Sequence, residues 1–183
     1  MNRQNQKEHR KETSKIVEQN SMAPEFTLLD SDDRAIKLSD FRGKKNVIVY
    51  FYPKDFTPGC TTEAAEFTRE YEKFSEADIE IIGVSPDNDD SHKRFRQHMK
   101  IPYLLASDTQ NETSKKYGVY GVKNFMGREY LGINRSTFLI DKSGRIVKVH
   151  KNVRPAAGKG FADEYIKVFA MDQNKNRPSI RAK

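Results

Sequence analysis

The chain has 183 residues, 36% hydrophobic and 32% charged, with one Cys and no Trp. This is enough for one domain, but too few thiols for a disulfide scaffold or a zinc ribbon, and the longest apolar run, Val47 to Tyr52, falls far short of the ~20 residues that span a bilayer. The net charge of +7 lies mainly on the flanks: residues 1–20 hold five Lys or Arg against three Glu, residues 172–183 four against one Asp, and the body keeps only +2, which argues against a basic nucleic-acid surface on the fold.

Residues 1–20 are polar, lack the apolar core of a signal peptide, and read as an arm outside the fold of a cytoplasmic protein. A domain is expected over 21–171 and a basic tail over 172–183. Phe26–Asp30 and Ala35–Leu38 flank the turn-like Ser31-Asp32-Asp33-Arg34, predicting an N-terminal β-hairpin. Asn46–Tyr52, NVIVYFY, is the kind of run buried on both faces of a sheet and should be a central strand. After Pro53, the turn Thr57-Pro58-Gly59-Cys60 leads into TTEAAEFTREYEKF, where Ala64, Phe67, Tyr71 and Phe74 recur at helical spacing. A second buried strand over 79–86 completes a strand-helix-strand unit, so the sheet is at least partly parallel.

A polar helix around Asp90–Met99 follows, then a short strand over Pro102–Ala106 and a helix near Glu112–Tyr117. Arg135–Asp141 and Arg145–Lys151 form two strands joined by the hairpin signal Lys142-Ser143-Gly144. The last element is a helix over about Gly160–Met171 with Phe161, Tyr165, Val168 and Phe169 on one face.

A lone Cys is ordinarily a small buried hydrophobe. Cys60 differs in its setting: it opens a helix at the carboxyl end of a buried strand, where open α/β sheets place ligands and the helix dipole favours a thiolate. Full ionisation of an ordinary thiol multiplies the reactive form only ~30-fold at pH 7, about 2 kcal/mol, so catalysis requires further polar groups around the sulfur.

The segment YFYPKDFTPGCTTEAAEF supplies candidates and resembles the peroxiredoxins of the AhpC/TSA family, with Pro53, Thr57 and Cys60 matching their P-x-x-x-T-x-x-C signature. FYPKDFTPGCTTEA, with APEFTLLD before it and YLGINRSTFLIDKSGRI after it, is similar to the bacterioferritin-comigratory or peroxiredoxin Q subfamily, over about Ala23 to Phe169. The resemblance implies a thioredoxin-like α/β fold, with a central mixed sheet flanked by helices, and a thiol-dependent peroxidase acting on hydrogen peroxide and organic hydroperoxides. It casts Cys60 as the nucleophile that becomes a sulfenic acid, Thr57 as a hydroxyl aimed at thiolate and peroxide, Pro53 as a shield against water, and Arg135 as the guanidinium beside the sulfur. Glu63 is read as a helix-dipole residue with no assigned catalytic role.

In much of that subfamily a resolving Cys lies five residues after the nucleophile, where this chain has Ala65. The chain therefore reads as a one-Cys variant recycled by an external thiol, whether thioredoxin, glutaredoxin or a small molecule, with no cofactor or metal, no membrane partner, and a monomeric or weakly dimeric state. The other class of function open to such a chain is a non-enzymatic binding or peroxide-signalling module that keeps the fold and uses its basic tails. Other motifs are weaker: His92 and His98 lie about 120° apart on one helix and read as solvated, His150 lacks an orienting partner for Cys-hydrolase chemistry, and AAGKGF lacks the leading Gly and following Ser or Thr of a P-loop.

Overall fold

The computed structural model describes residues 15–156, 158 and 160–177; the arm before residue 15, the tail beyond 177, and positions 157 and 159 of AAGKGF lie outside the described residues. Strands β1 (Thr27–Asp30) and β2 (Ala35–Lys37) form the expected antiparallel hairpin, followed by a 3₁₀ turn at Leu38–Phe41. Strand β3 (Asn46–Phe51), helix α1 (Pro58–Glu76) and strand β4 (Ile79–Ser85) follow, with β3 and β4 parallel. Helix α2 (Asp89–Met99), strand β5 (Leu104–Ser107) and helix α3 (Glu112–Lys116) lead to β6 (Tyr120–Phe125) and β7 (Arg128–Ile133), then β8 (Ser136–Ile140), β9 (Ile146–His150) and helix α4 (Ala162–Lys175).

Seven strands make one mixed sheet in the order β2-β1-β5-β4-β3-β8-β9, while β6 and β7 form a separate ribbon. Every residue of β3 is buried, as a central strand must be. Its alternate side chains feed two cores: Ile48 and Tyr50, with Tyr52 just past the strand, join the aromatic layer beneath α1, α2 and α4, and Val47, Val49 and Phe51 pack with Tyr117, Val119 and Phe138 on the other face. In the first layer Phe67 of α1 stacks on Tyr50 at 4.6 Å and meets Phe161 edge-on at 4.5 Å, so the helix that carries Cys60 is clamped between sheet and α4. A buried aromatic of this kind contributes about 2–3 kcal/mol.

Three features differ from the sequence reading. Residues 16–20 are tied to the body: Ile16 and Val17 pack on the second core, Val17 N donates to Tyr117 O (3.1 Å) and Asn20 N to Ile146 O (2.7 Å). Gly118, at φ +72°, makes this possible, since a Cβ there would collide with the backbone of Lys15 and Ile16. At the other end α4 runs to Lys175, past residue 171, and Asp172 pairs with Arg145. The first turn of α4 has no local side-chain cap; Glu70 of α1 reaches over and accepts from Phe161 N (2.9 Å) and Ala162 N (3.0 Å).

The third is the β6–β7 ribbon, which no periodicity signalled because its strands are largely exposed or only partly buried and mix polar with apolar residues. Its turn is Met126-Gly127, both at positive φ (51° and 77°), the backbone of a type I′ hairpin written with Met where Asn is the usual signal.

Candidate active site

The site forms where β3 ends. The antiparallel pairing of β3 with β8 aligns Phe51 with Ser136, so Arg135, one residue ahead of β8, lies beside the point where the chain leaves the sheet for α1. Helix α1 begins at Pro58, earlier than the apolar periodicity alone indicates, because proline is pre-set for the first helical position and its missing N–H costs nothing there. Cys60 is therefore already in the first turn, 1% exposed and free, with its sulfur near the unsatisfied amide end of the helix.

Arg135 Nη2 donates to Cys60 Sγ at 3.1 Å, and Nη1 donates to Glu63 Oε2 at 2.6 Å. A single guanidinium thus spans two groups one helical turn apart on α1, using the planar fork that lysine lacks. Burial works against its charge, but Glu63 and Cys60 outweigh it and raise the Arg135 pKa above its ordinary value.

Glu63 corrects the dipole reading. It sits in the second turn of α1, is 3% exposed, and serves as the buried counter-ion of Arg135. Burial pushes its carboxyl up to about 7 against the opposing pull of Arg135. Because the folded value exceeds the ordinary 4.5, Glu63 favours the fold fully below about pH 4.5, and that contribution is lost as the pH rises through about 7. Glu63→Gln is accordingly expected to remove up to about 3 kcal/mol of the stability lost between pH 4 and 8. Denaturant unfolding of parent and variant across that range checks this, and parallel curves would contradict it.

Gly59, which the sequence reading treats only as part of a turn, lies against Arg135. A Cβ there would lie 3.1 Å from Arg135 Nη2, tighter than a relaxed contact, so hydrogen at this position gives the guanidinium room beside the sulfur. Gly59→Ala is expected to raise helix stability by up to about 1 kcal/mol while slowing oxidation of Cys60 by peroxide about tenfold. Thermal melts and stopped-flow rates read the two effects separately; a variant that is more stable and equally fast would show that the guanidinium shifts without cost.

The remaining residues are placed as follows. Pro53 is half-buried at the bend after β3. Thr57 is the residue before α1, and its Oγ1 donates to Lys54 O at 2.9 Å, so its proton is held by the loop backbone and not by the sulfur. Lys123 on β6 was not foreseen: its Nζ donates to Ile133 O at 2.8 Å, and burial and then Arg135 lower its pKa while Cys60 opposes them. A lysine in a strand with no recognisable motif carries no local signal of this placement.

The histidines separate sharply. His98 is exposed, but His92 is fully buried, contrary to the solvated reading, with Nδ1 2.8 Å from Asp55 Oδ2 and Nε2 3.1 Å from Ala106 O. Helical phase places it toward the sheet, and only the fold supplies its partners. His150 stacks on Tyr165 at 4.9 Å, and burial lowers its pKa. Gly158 of the glycine-containing loop donates its N–H to Glu66 Oε1 at 2.8 Å, a structural anchor.

The model of the AhpC/TSA family matches residues 20–149. Peroxiredoxin Bcp of Bacillus subtilis is 44% identical over 138 residues, covering 75% of this chain and 87% of its own. A Buchnera aphidicola protein named as a putative peroxiredoxin bcp is 48% identical over 128 residues, covering 70% of this chain and 80% of its own. Among solved structures, a Xanthomonas campestris bacterioferritin comigratory protein, studied for its alkyl peroxide reduction activity, superposes with a TM-score of 0.72 at 33% identity, covering 80% of this chain and 91% of its own. The mixed sheet and flanking helices are the thioredoxin-like α/β fold of these structures.

Proposed function

Since the chain belongs to the AhpC/TSA family, we propose that it is a thiol-dependent peroxidase that works through Cys60 alone and is recycled by an external thiol. The observation that carries this reading is the 3.1 Å hydrogen bond from Arg135 to a Cys60 sulfur buried in the first turn of α1.

The Cys60 thiolate attacks the terminal oxygen of a peroxide, ROOH. An S–O bond forms as the O–O bond breaks, the sulfur becomes a sulfenic acid, and the departing alkoxide or hydroxide takes a proton from water to leave as alcohol or water. Charge moves from sulfur to oxygen, and Arg135, which already donates to the sulfur, is placed to donate to the oxygens as they become negative. Thr57 retains lone pairs that can accept the peroxide O–H, and Pro53 restricts water at the mouth of the loop. An external thiol then attacks the sulfenic sulfur and releases water; a second thiol resolves the mixed disulfide and restores Cys60.

With Ala65 exposed on α1 and no second Cys in the sequence, the chain has no internal thiol to do this. The proposed substrates are hydrogen peroxide and organic hydroperoxides, the latter supported by the activity of the Xanthomonas relative. The reductant is a thioredoxin, a glutaredoxin or a low-molecular-weight thiol. The proposed setting is the reducing cytoplasm, and the proposed state a monomer or weak homodimer.

Stopped-flow mixing of the reduced protein with hydrogen peroxide and with an alkyl hydroperoxide, with a sulfenic-acid trap, tests the reading without requiring the natural reductant. Trapped label on Cys60, absent in Cys60→Ser, is the expected result. A parent that forms no sulfenic acid overturns it.

A further inference from the structure

The loop that precedes Cys60 is held by groups with no part in the chemistry described above. Asp55, between Pro53 and Thr57, is 3% exposed although it is a carboxylate on a turn. Its Oδ1 accepts from Tyr52 OH (2.7 Å), and its Oδ2 accepts from Ser91 Oγ (2.8 Å) and faces His92 Nδ1 (2.8 Å). Its own N–H donates to Asp87 Oδ2 (2.8 Å), which also accepts from Ser85 Oγ (2.7 Å). His92 Nε2 faces Ala106 O at 3.1 Å, so both ring nitrogens point at acceptors. Asp55, Asp87 and His92 bring their ligand atoms within 4.8 Å of one another, but the Asp55 oxygens, Asp87 Oδ2 and both His92 nitrogens already have protein partners, so the cluster is internally satisfied as a clamp.

The next residue shows what the clamp restrains. Phe56 has φ +62°, a left-handed conformation in which a bulky side chain is strained. Its ring packs on Phe95 (5.1 Å) and His98 (5.9 Å) of α2, the same helix that supplies Ser91 and His92. Strain of this kind persists only where the surroundings over-determine it.

We infer that Asp55 and His92 are positioning residues: their buried pair fastens the Pro53–Thr57 loop to α2 against the strain at Phe56, and so sets the start of α1 and the Cys60 sulfur beneath Arg135. This rests on the peroxidase reading and adds to it a group on α2, far along the chain from Cys60, that controls the rate through the loop.

Two isosteres separate positioning from general stability. An asparagine amide nitrogen falls near the place of Nδ1 and a glutamine's near that of Nε2, so His92→Asn keeps the bond to Asp55 and His92→Gln keeps only the bond to Ala106. Cys60 oxidation by hydrogen peroxide is measured by stopped flow well below each variant's melting temperature, beside the parent. The expected result is an oxidation rate within about threefold of the parent for His92→Asn and at least about tenfold slower for His92→Gln. Equal parent-like rates in both, even with lowered melting temperatures, overturn the inference, because a purely structural role affects how much protein is folded and not how fast the folded molecules react.

Should His92→Gln not fold, Ser91→Ala, a milder loss on a half-buried residue, decides: slowing of about threefold supports the clamp, and an unchanged rate overturns it. A parent that does not react with peroxide at all removes the peroxidase reading together with this one, whereas a reactive parent matched by its variants removes this one alone.

Discussion

Arg135→Lys is expected to slow the oxidation of Cys60 by about a hundredfold while the fold survives. The substitution retains a positive charge, so a role limited to electrostatic attraction predicts little change. The geometry predicts more: Nη1 is bound to Glu63 at 2.6 Å and Nη2 to the sulfur at 3.1 Å, a two-point hold that fixes where donors stand when the peroxide oxygens gain charge. An ammonium has three donors, but they radiate from one point on a flexible stem, so it does not reproduce the planar, spaced pair and approaches one partner at the other's expense. Of the two partners, Glu63 holds the shorter bond, 2.6 Å against 3.1 Å, and its carboxylate oxygen is the stronger acceptor, so the lysine is drawn toward it and away from the sulfur. Stopped-flow rates, with circular dichroism as the check on folding, measure the effect. A lysine variant as fast as the parent would reduce Arg135 to a charge.

The second large effect concerns oxidation without a reductant. Under excess peroxide and no added thiol, the parent is expected to accumulate sulfenic acid and then pass to sulfinic acid, because no internal thiol competes with the second oxidation. Mass spectrometry follows the addition of one and then a second oxygen at Cys60. Repeated turnover without a thiol, or lasting resistance to the second oxidation, would refute the one-Cys cycle.

Ala65→Cys tests the same point from the other side. Residues five apart on a helix are separated by about 7.5 Å along the axis, beyond the ~7 Å between Cα atoms that a disulfide bridges. They also face differently: Cys60 is 1% exposed, and Ala65 is exposed. A bond between them requires the first turns of α1 to unwind, which Phe67, stacked on Tyr50 a little further along, resists. Partial protection from overoxidation, with the new disulfide detectable by mass spectrometry, is the expected outcome.

What the sequence determines by itself is local or written in a short pattern. The run NVIVYFY can only be buried on both faces, and β3 is; the turn residues between Phe26 and Leu38 specify a hairpin, and it forms. Thr57, Cys60 and Arg135 stand out as candidates because their neighbours in the chain match a short family signature, and the fold sets Arg135 against Cys60. Tertiary structure decides whatever depends on elements distant in sequence. The β3–β8 register brings Arg135 to Cys60 and so converts Glu63 from a helix-dipole residue into a buried counter-ion with a raised pKa. The crossing of α2 behind the Pro53–Thr57 loop turns His92, read as solvated, into the partner of Asp55. The physical reason is common to both: a polar side chain is solvated by default, and the sequence around it does not say which partner the fold will carry into the low-dielectric interior beside it.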